Sequence, residues 1–252
     1  PEEFIGRAKT VDERLGIRPH VLGRFRDLVQ AVAASPTMIR YLNVGRNTKD
    51  GPNENYAREL MELHTLGVHG GYTEQDIKQV ARCFTGWNMS SNWTFEFRAA
   101  DHVPGDKTVL GQRIAEAGVE EGRRVVDLLV DHPSTARHLA QKLCRRFIAD
   151  QPPASAVDRV AAAFGRDGDI PAMLRALFLS PEFAAAAQSV DGSGTTVPNK
   201  VRRPLEHWAA ILRALEVEPY PLIQELPRDA YEEQGVDYGQ RAEAYLQAMD
   251  HL

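Results

Sequence analysis

Cysteine is scarce: Cys83 and Cys144 are the only two in 252 residues, too few for a disulfide framework or a cysteine zinc site. Both fall in helical patterns, where buried free thiols are the expectation; a single disulfide, the alternative, would imply an extracytoplasmic home. No apolar run approaches the ~20 residues that span a bilayer, and no charged-then-apolar leader precedes the first helix. Positive charge is also in short supply. Thirty basic residues against 35 acidic ones leave a formal charge of -5, which offers no general attraction to nucleic acid or anionic lipid. Nucleic acid is therefore not an expected partner, and any such binding would need a local patch. No Gly-rich phosphate loop follows a strand, and no Gly-x-Ser-x-Gly elbow occurs; Gly192-Ser193-Gly194 reads as a flexible loop. There is no internal repeat.

What is present is enough for a globular core, with 43% hydrophobic residues distributed mainly at helical spacing. Leu22, Phe25, Leu28, Val29 and Val32 mark an amphipathic helix that ends at Ser35-Pro36. A polar loop, Asn43 to Pro52, leads into a helix over 53–66. Gly67 and Gly70-Gly71 break the chain, and Thr73 with Asp76 has the spacing of a capped N-terminus. The helix that follows carries Ile77, Val80, Ala81 and Phe84 and stops at Gly86. Trp93, Phe95 and Phe97 alternate with Thr94, Glu96 and Arg98, the one convincing strand, and Thr108 to Leu110 is expected to pair back on it. Further helices are expected over 120–130, 133–149, 154–164 and 170–183, the last broken near Ser180-Pro181. The predicted fold is all-α with one small β-ribbon near residues 93–114. A main helical domain, 1–190, is separated by the exposed stretch Ser189 to Pro198 from a helical C-terminal segment, 199–252, of the same domain. The chain opens at Pro1, and the pattern Tyr245, Leu246, Met249 still runs at its end, so a fragment of a larger protein, cut from any signal peptide, is expected.

Chemistry-bearing residues concentrate on the helix 53–66. At 100° per residue, Asn55, Arg58, Glu59 and Glu62 share one narrow sector. The plain reading is a solvated face on which Glu54 pairs with Arg58 and Arg58 with Glu62. The functional reading sends Glu59 and Glu62 into a cleft, as an acid/base pair tuned by Arg58 or as ligands of a divalent metal. His64 lies nearly opposite Glu62 on such a helix and is expected to be a core histidine. Partners must then come from elsewhere, with Asp101 and His102 first and His69 next. The candidate catalytic set is Arg58, Glu59, Glu62 and His102; the candidate metal set is Glu59, Glu62, Asp101 and His102. Arg137, Lys142, Arg145 and Arg146 could bind phosphate, although a basic helix face on an acidic chain is usually only solvated. Trp87, Trp93 and Phe95 read as buried over the helices, with an aromatic binding platform as the alternative.

The run Asn53-Glu54-Asn55-Tyr56-Ala57-Arg58-Glu59-Leu60-Met61-Glu62-Leu63-His64-Thr65-Leu66-Gly67, continued by Gly70-Gly71-Tyr72-Thr73, Ala81-Arg82 and Thr85-Gly86-Trp87, resembles the signature of a bacterial family, domain of unknown function 1800. Arg18-Pro19-His20, His102, Gly105, Lys107, Leu110-Gly111, His132-Pro133 and Ser180-Pro181-Glu182-Phe183 fit it too. The resemblance implies a bacterial protein, generally longer than this chain, exported to the periplasm or another extracytoplasmic site, and assembling with a protein encoded beside it. Similar proteins often carry Asp one residue after His102, where this chain has Val103, which weakens a His-Asp metal pair and leaves Asp101 as substitute. Two functions stay open: a cell-envelope enzyme with a carboxylate-lined, metal-assisted site, or a non-enzymatic binding or scaffolding module that assembles with an envelope partner.

Overall fold

The computed structural model describes residues 10–186. The stretch Ser189 to Pro198, Gly192-Ser193-Gly194 within it, the segment 199–252 and the pattern Tyr245 to Met249 lie outside the described residues. Helix α1 (Phe25–Ala33) buries Phe25, Val29 and Ala33, four residues apart on one stripe. Ser35-Pro36 ends that run, as expected, and also begins the next helix. Ser35 Oγ accepts the Met38 N–H at 3.1 Å, and Pro36 opens α2 (Pro36–Tyr41) where no N–H is needed.

The expected helix over 53–66 divides in two. Helix α3 (Asn55–Glu59) runs straight into a π-helical turn, Leu60–His64. Beyond it Thr73 caps α4 (Glu74–Cys83) by the reciprocal bonds its spacing predicts. Thr73 Oγ1 accepts from Asp76 N–H at 3.2 Å, and Asp76 Oδ2 accepts from Thr73 N–H at 2.9 Å. Gly86 follows at φ +79°, and a Cβ there would stand 2.6 Å from the Arg98 carbonyl, so both conformation and space call for glycine.

The β structure is two hairpins instead of one ribbon. Strand β1 (Trp87–Met89) pairs antiparallel with β2 (Phe95–Phe97), and β3 (Lys107–Val109) with β4 (Gln112–Ile114). Trp93 stands at positive φ between the first pair, not within a strand. Thr108 pairs forward to Arg113 because Leu110 and Gly111 both take positive φ, the geometry of a two-residue hairpin turn. Both hairpins close locally, which costs less chain entropy than pairing 93–98 with 108–110.

Helices α5 (Val119–Asp131), α6 (Pro133–Phe147), α7 (Ala154–Ala162), α8 (Ile170–Phe178) and α9 (Pro181–Ala186) complete a mainly helical fold with two small antiparallel sheets. Helix α6 packs on α7, α7 on α8, and α1 on α5. Through the core runs a file of edge-to-face rings: Tyr56 to Phe84, Phe84 to Trp87 and Trp87 to Phe95, with centroids 4.8–4.9 Å apart. Trp87 is buried, whereas Trp93 and Phe95 are half-buried. Gly122 lets α5 approach this file, since a Cβ there would lie 2.5 Å from the Trp87 ring. Cys83 and Cys144 are buried and unpaired; burial pushes their thiols up to about 12 and about 11, which leaves them unreactive. Among the described residues no helix is long and apolar enough to cross a membrane.

Candidate functional site

Helical spacing places Glu54, Arg58 and Glu62 one turn apart, and the fold brings the first turn of α4 against them. Arg58 receives Glu74 bidentately, with both N–O distances 2.8 Å, and meets Glu54 at 3.2 Å and Glu62 at 3.6 Å. The Glu74 hydrogen bonds, ahead of the coulombic effect of all three carboxylates, raise the Arg58 pKa further, and Arg58 in turn holds the Glu74 carboxyl below its usual value. The Tyr72 hydroxyl is pushed up to about 12, by burial first and the nearby Glu62 charge second. Arg58 and Glu62 thus form part of a solvent-facing ion network that joins α3 to α4.

Glu59 does not belong to that network, and it makes no hydrogen bond or ion pair with another described residue. Its neighbour is His64. A π-turn closes i→i+5 bonds, so residues five apart stack, and the Glu59 charge acts on the His64 ring. The expectation of a core His64 is corrected on this point: the side chain is exposed, because the 100° step that put it in the core stops at Leu60. His64, Lys142 and Tyr56 supply the titratable groups of a cavity of about 230 Å³ whose other walls include Phe25, Leu28, Met38 and Leu60, and burial pushes the Tyr56 hydroxyl well above its usual range. Desolvation against this groove, followed by the Lys142 charge, lowers the His64 pKa despite Glu59. The Leu63 carbonyl accepts from Lys142 Nζ at 2.9 Å and faces His138 Nε2 at 3.1 Å.

His102 lies in a different place, 8% exposed. The Thr85 carbonyl, 2.7 Å from Nδ1, only accepts, so Nδ1 carries a proton. Nε2 faces Glu121 Oε1 at 3.1 Å, and the other oxygen of Glu121 pairs with Lys107 Nζ at 2.7 Å. Glu121 and Lys107 are completely enclosed. Lys107 also donates to the Val103 carbonyl at 2.5 Å, and Glu121 accepts the Ala117 N–H at 3.0 Å. Burial alone would raise the Glu121 pKa; Lys107, the Ala117 N–H and His102 together outweigh it and hold the carboxyl below its usual value.

Asp101 is half-buried in a 3-10 turn, Ala99–Asp101, with its carbonyl accepting the Lys49 N–H at 2.8 Å. Glu59, Glu62 and Asp101 form no ion pair with His102, and among the described residues no three His, Cys, Asp or Glu side chains converge as a metal would require. The structure therefore divides the four candidate ligands among the Arg58 network (Glu62), the neighbourhood of His64 (Glu59), the 3-10 turn (Asp101) and the buried cluster (His102). Arg137 is bound to Asp158 at 2.5 Å and Lys142 to the Leu63 carbonyl, so these two members of the basic stripe on α6 are engaged.

Glu121 escaped the sequence reading, although its signal was present. It sits four and eight residues before Val125 and Leu129, on the apolar stripe of α5, where a carboxylate must have a partner. Lys107 carries the same signal, occupying the inward position that Val109 repeats on β3.

A family model described as Protein of unknown function (DUF1800) matches residues 6–251, nearly the whole chain, and the chain belongs to that family. No curated protein and no solved structure matches it.

Proposed function

We propose that this DUF1800 protein is a cell-envelope enzyme that performs acid–base chemistry on a substrate with an apolar body, bound in the groove between α1, α2, α3 and α6. The observation that carries the reading is the π-turn, which sets His64 on the wall of a mostly apolar cavity that Lys142 and Tyr56 also line; such turns and such cavities are both frequent at functional sites. His64 accepts a proton in its neutral form, Glu59 stabilises the imidazolium that results, and Lys142 offsets negative charge developing on the substrate. Arg58 and Glu62 position the π-turn from the far side of the helix, and His102 and Asp101 act through the scaffold. A divalent metal on Glu59 and Glu62 would need further ligands beyond Asp101 and His102. The envelope location rests on the family resemblance, and fractionation of the native host checks it.

The test is turnover of an envelope extract by the full chain, followed by mass spectrometry of the products. His64→Gln should cut the rate by about 100-fold or more, while Arg113→Gln, on the second hairpin and bound to Asp106, preserves it. Because the His64 pKa is lowered, the wild-type rate should fall only below the ordinary histidine range. No turnover by the wild type, or equal rates with and without His64, overturns the proposal.

One observation favours the second reading, a scaffolding module docked on a protein encoded beside it. Apolar side chains stand exposed at or beside the groove, with Ile17 36% and Leu63 48% accessible. Protection of Ile17 and Leu63 from hydroxyl-radical labelling by that protein, without turnover, would select it.

A further inference from the structure

On another face, α2, the 3-10 turn Val44–Arg46, β1 and the residue following β2 enclose a cavity of about 220 Å³. Arg40, Arg46 and Arg98 line it, together with Asn43, over a floor that includes Ile39 and Met89. We propose that this cavity binds a phosphomonoester, its phosphate held by the three arginines and its organic part on the apolar floor.

Two of these arginines, Arg40 and Arg46, lack the carboxylate partner that many others in the described chain have. Arg18, Arg24, Arg26, Arg58, Arg113 and Arg137 each meet a carboxylate within 3.3 Å. The Arg40 and Arg46 side chains are exposed and make no hydrogen bond or ion pair with any described residue. Arg98 spends Nε and one terminal nitrogen on Glu96, at 3.2 and 3.1 Å, which leaves its other terminal nitrogen available. Three guanidinium charges against one carboxylate give the cavity a formal surplus of two, on a chain whose net charge is -5. That surplus matches a phosphomonoester, which carries about -1.5 to -2 near neutral pH, and exceeds what a monocarboxylate needs. Guanidinium forks suit phosphate oxygens geometrically. The site is assembled rather than inherited from one segment. Asn43 holds a left-handed φ of +55° that turns the chain from α2 into the 3-10 turn, and the Arg98 N–H bonds the Gly86 carbonyl at 2.8 Å, pinning that residue beside β1.

The experiment is calorimetric titration of the full chain at about 20 mM salt, where screening is weak, with phenyl phosphate, inorganic phosphate and benzoate as probes. Phenyl phosphate should bind most tightly and benzoate least. Arg40→Gln and Arg46→Gln, both exposed and so compatible with folding, should each weaken phenyl phosphate by about tenfold. Arg113→Gln, which removes the same charge elsewhere, should leave it unchanged. Sedimentation with phosphatidic acid vesicles against phosphatidylcholine vesicles separates sources: retention on the former that is lost in Arg40→Gln assigns a lipid headgroup, and soluble binding alone assigns a free metabolite. Failure of all phosphate probes, equal affinity for benzoate, or equal weakening by Arg113→Gln overturns the proposal.

Discussion

Two groups of charges in this molecule invite opposite readings. Three members of the Arg58 network, Glu54, Arg58 and Glu62, stand at helical spacing within the family signature, yet they are at least partly solvated and, with Glu74, chiefly clasp α3 to α4. The Glu121 cluster draws on Thr85, His102, Lys107 and Ala117, which are scattered along the chain, centres on a Glu121 that no quoted motif includes, and is sealed in the core. A charge in water interacts weakly with its neighbours, and the same charge enclosed by protein must be matched or the fold fails. Density of charged residues in a sequence therefore says little about which of them matter energetically.

The largest effect should come from breaking the buried group. Lys107→Met leaves Glu121 enclosed and unmatched on one oxygen, and should remove about 3–5 kcal/mol of stability in urea unfolding; a loss below about 1 kcal/mol would place the cluster with the surface pairs. An intermediate effect is expected from acid. The folded-state pKa of Glu121 lies below its unfolded value, so its contribution is fully present above the unfolded value and disappears as pH falls through the folded one. Glu121→Gln, compared with wild type at neutral and at acid pH, should show a stability difference that shrinks on acidification. A constant difference would remove Glu121 from the pH response. The smallest effect belongs to the surface: Arg58→Met, despite losing three carboxylate partners, should cost about 0.2–1 kcal/mol. A larger cost would show that the network is more than a clasp between helices.

Much of the fold was legible. The capping pair Thr73 and Asp76, the stop at Gly86, the break at Ser180-Pro181 and the mainly helical class all rest on rules that act within a few residues. The plain reading of Glu54, Arg58 and Glu62 as an ion-paired face also follows from spacing alone. Less legible were places where one signal has two meanings. Ser35-Pro36 is a stop and a start, and the alternation around Trp93 hid a turn because Trp93 itself takes positive φ. The His64 placement failed because a helical wheel assumes one angular step throughout, and the π-turn changes it.

By itself, then, the sequence determined the local elements, their caps and the family, since hydrogen bonds between near neighbours and apolar periodicity operate along the chain. Tertiary structure alone decided which charges meet. Lys107 finds Glu121 across a hairpin and a loop, His64 joins Lys142 from another helix, and Arg40, Arg46 and Arg98 come together around one cavity, while the basic stripe visible on α6 is tied down at Arg137 and Lys142. Electrostatic interaction depends on distance and burial in space, and neither is encoded in the separation of residues along a chain.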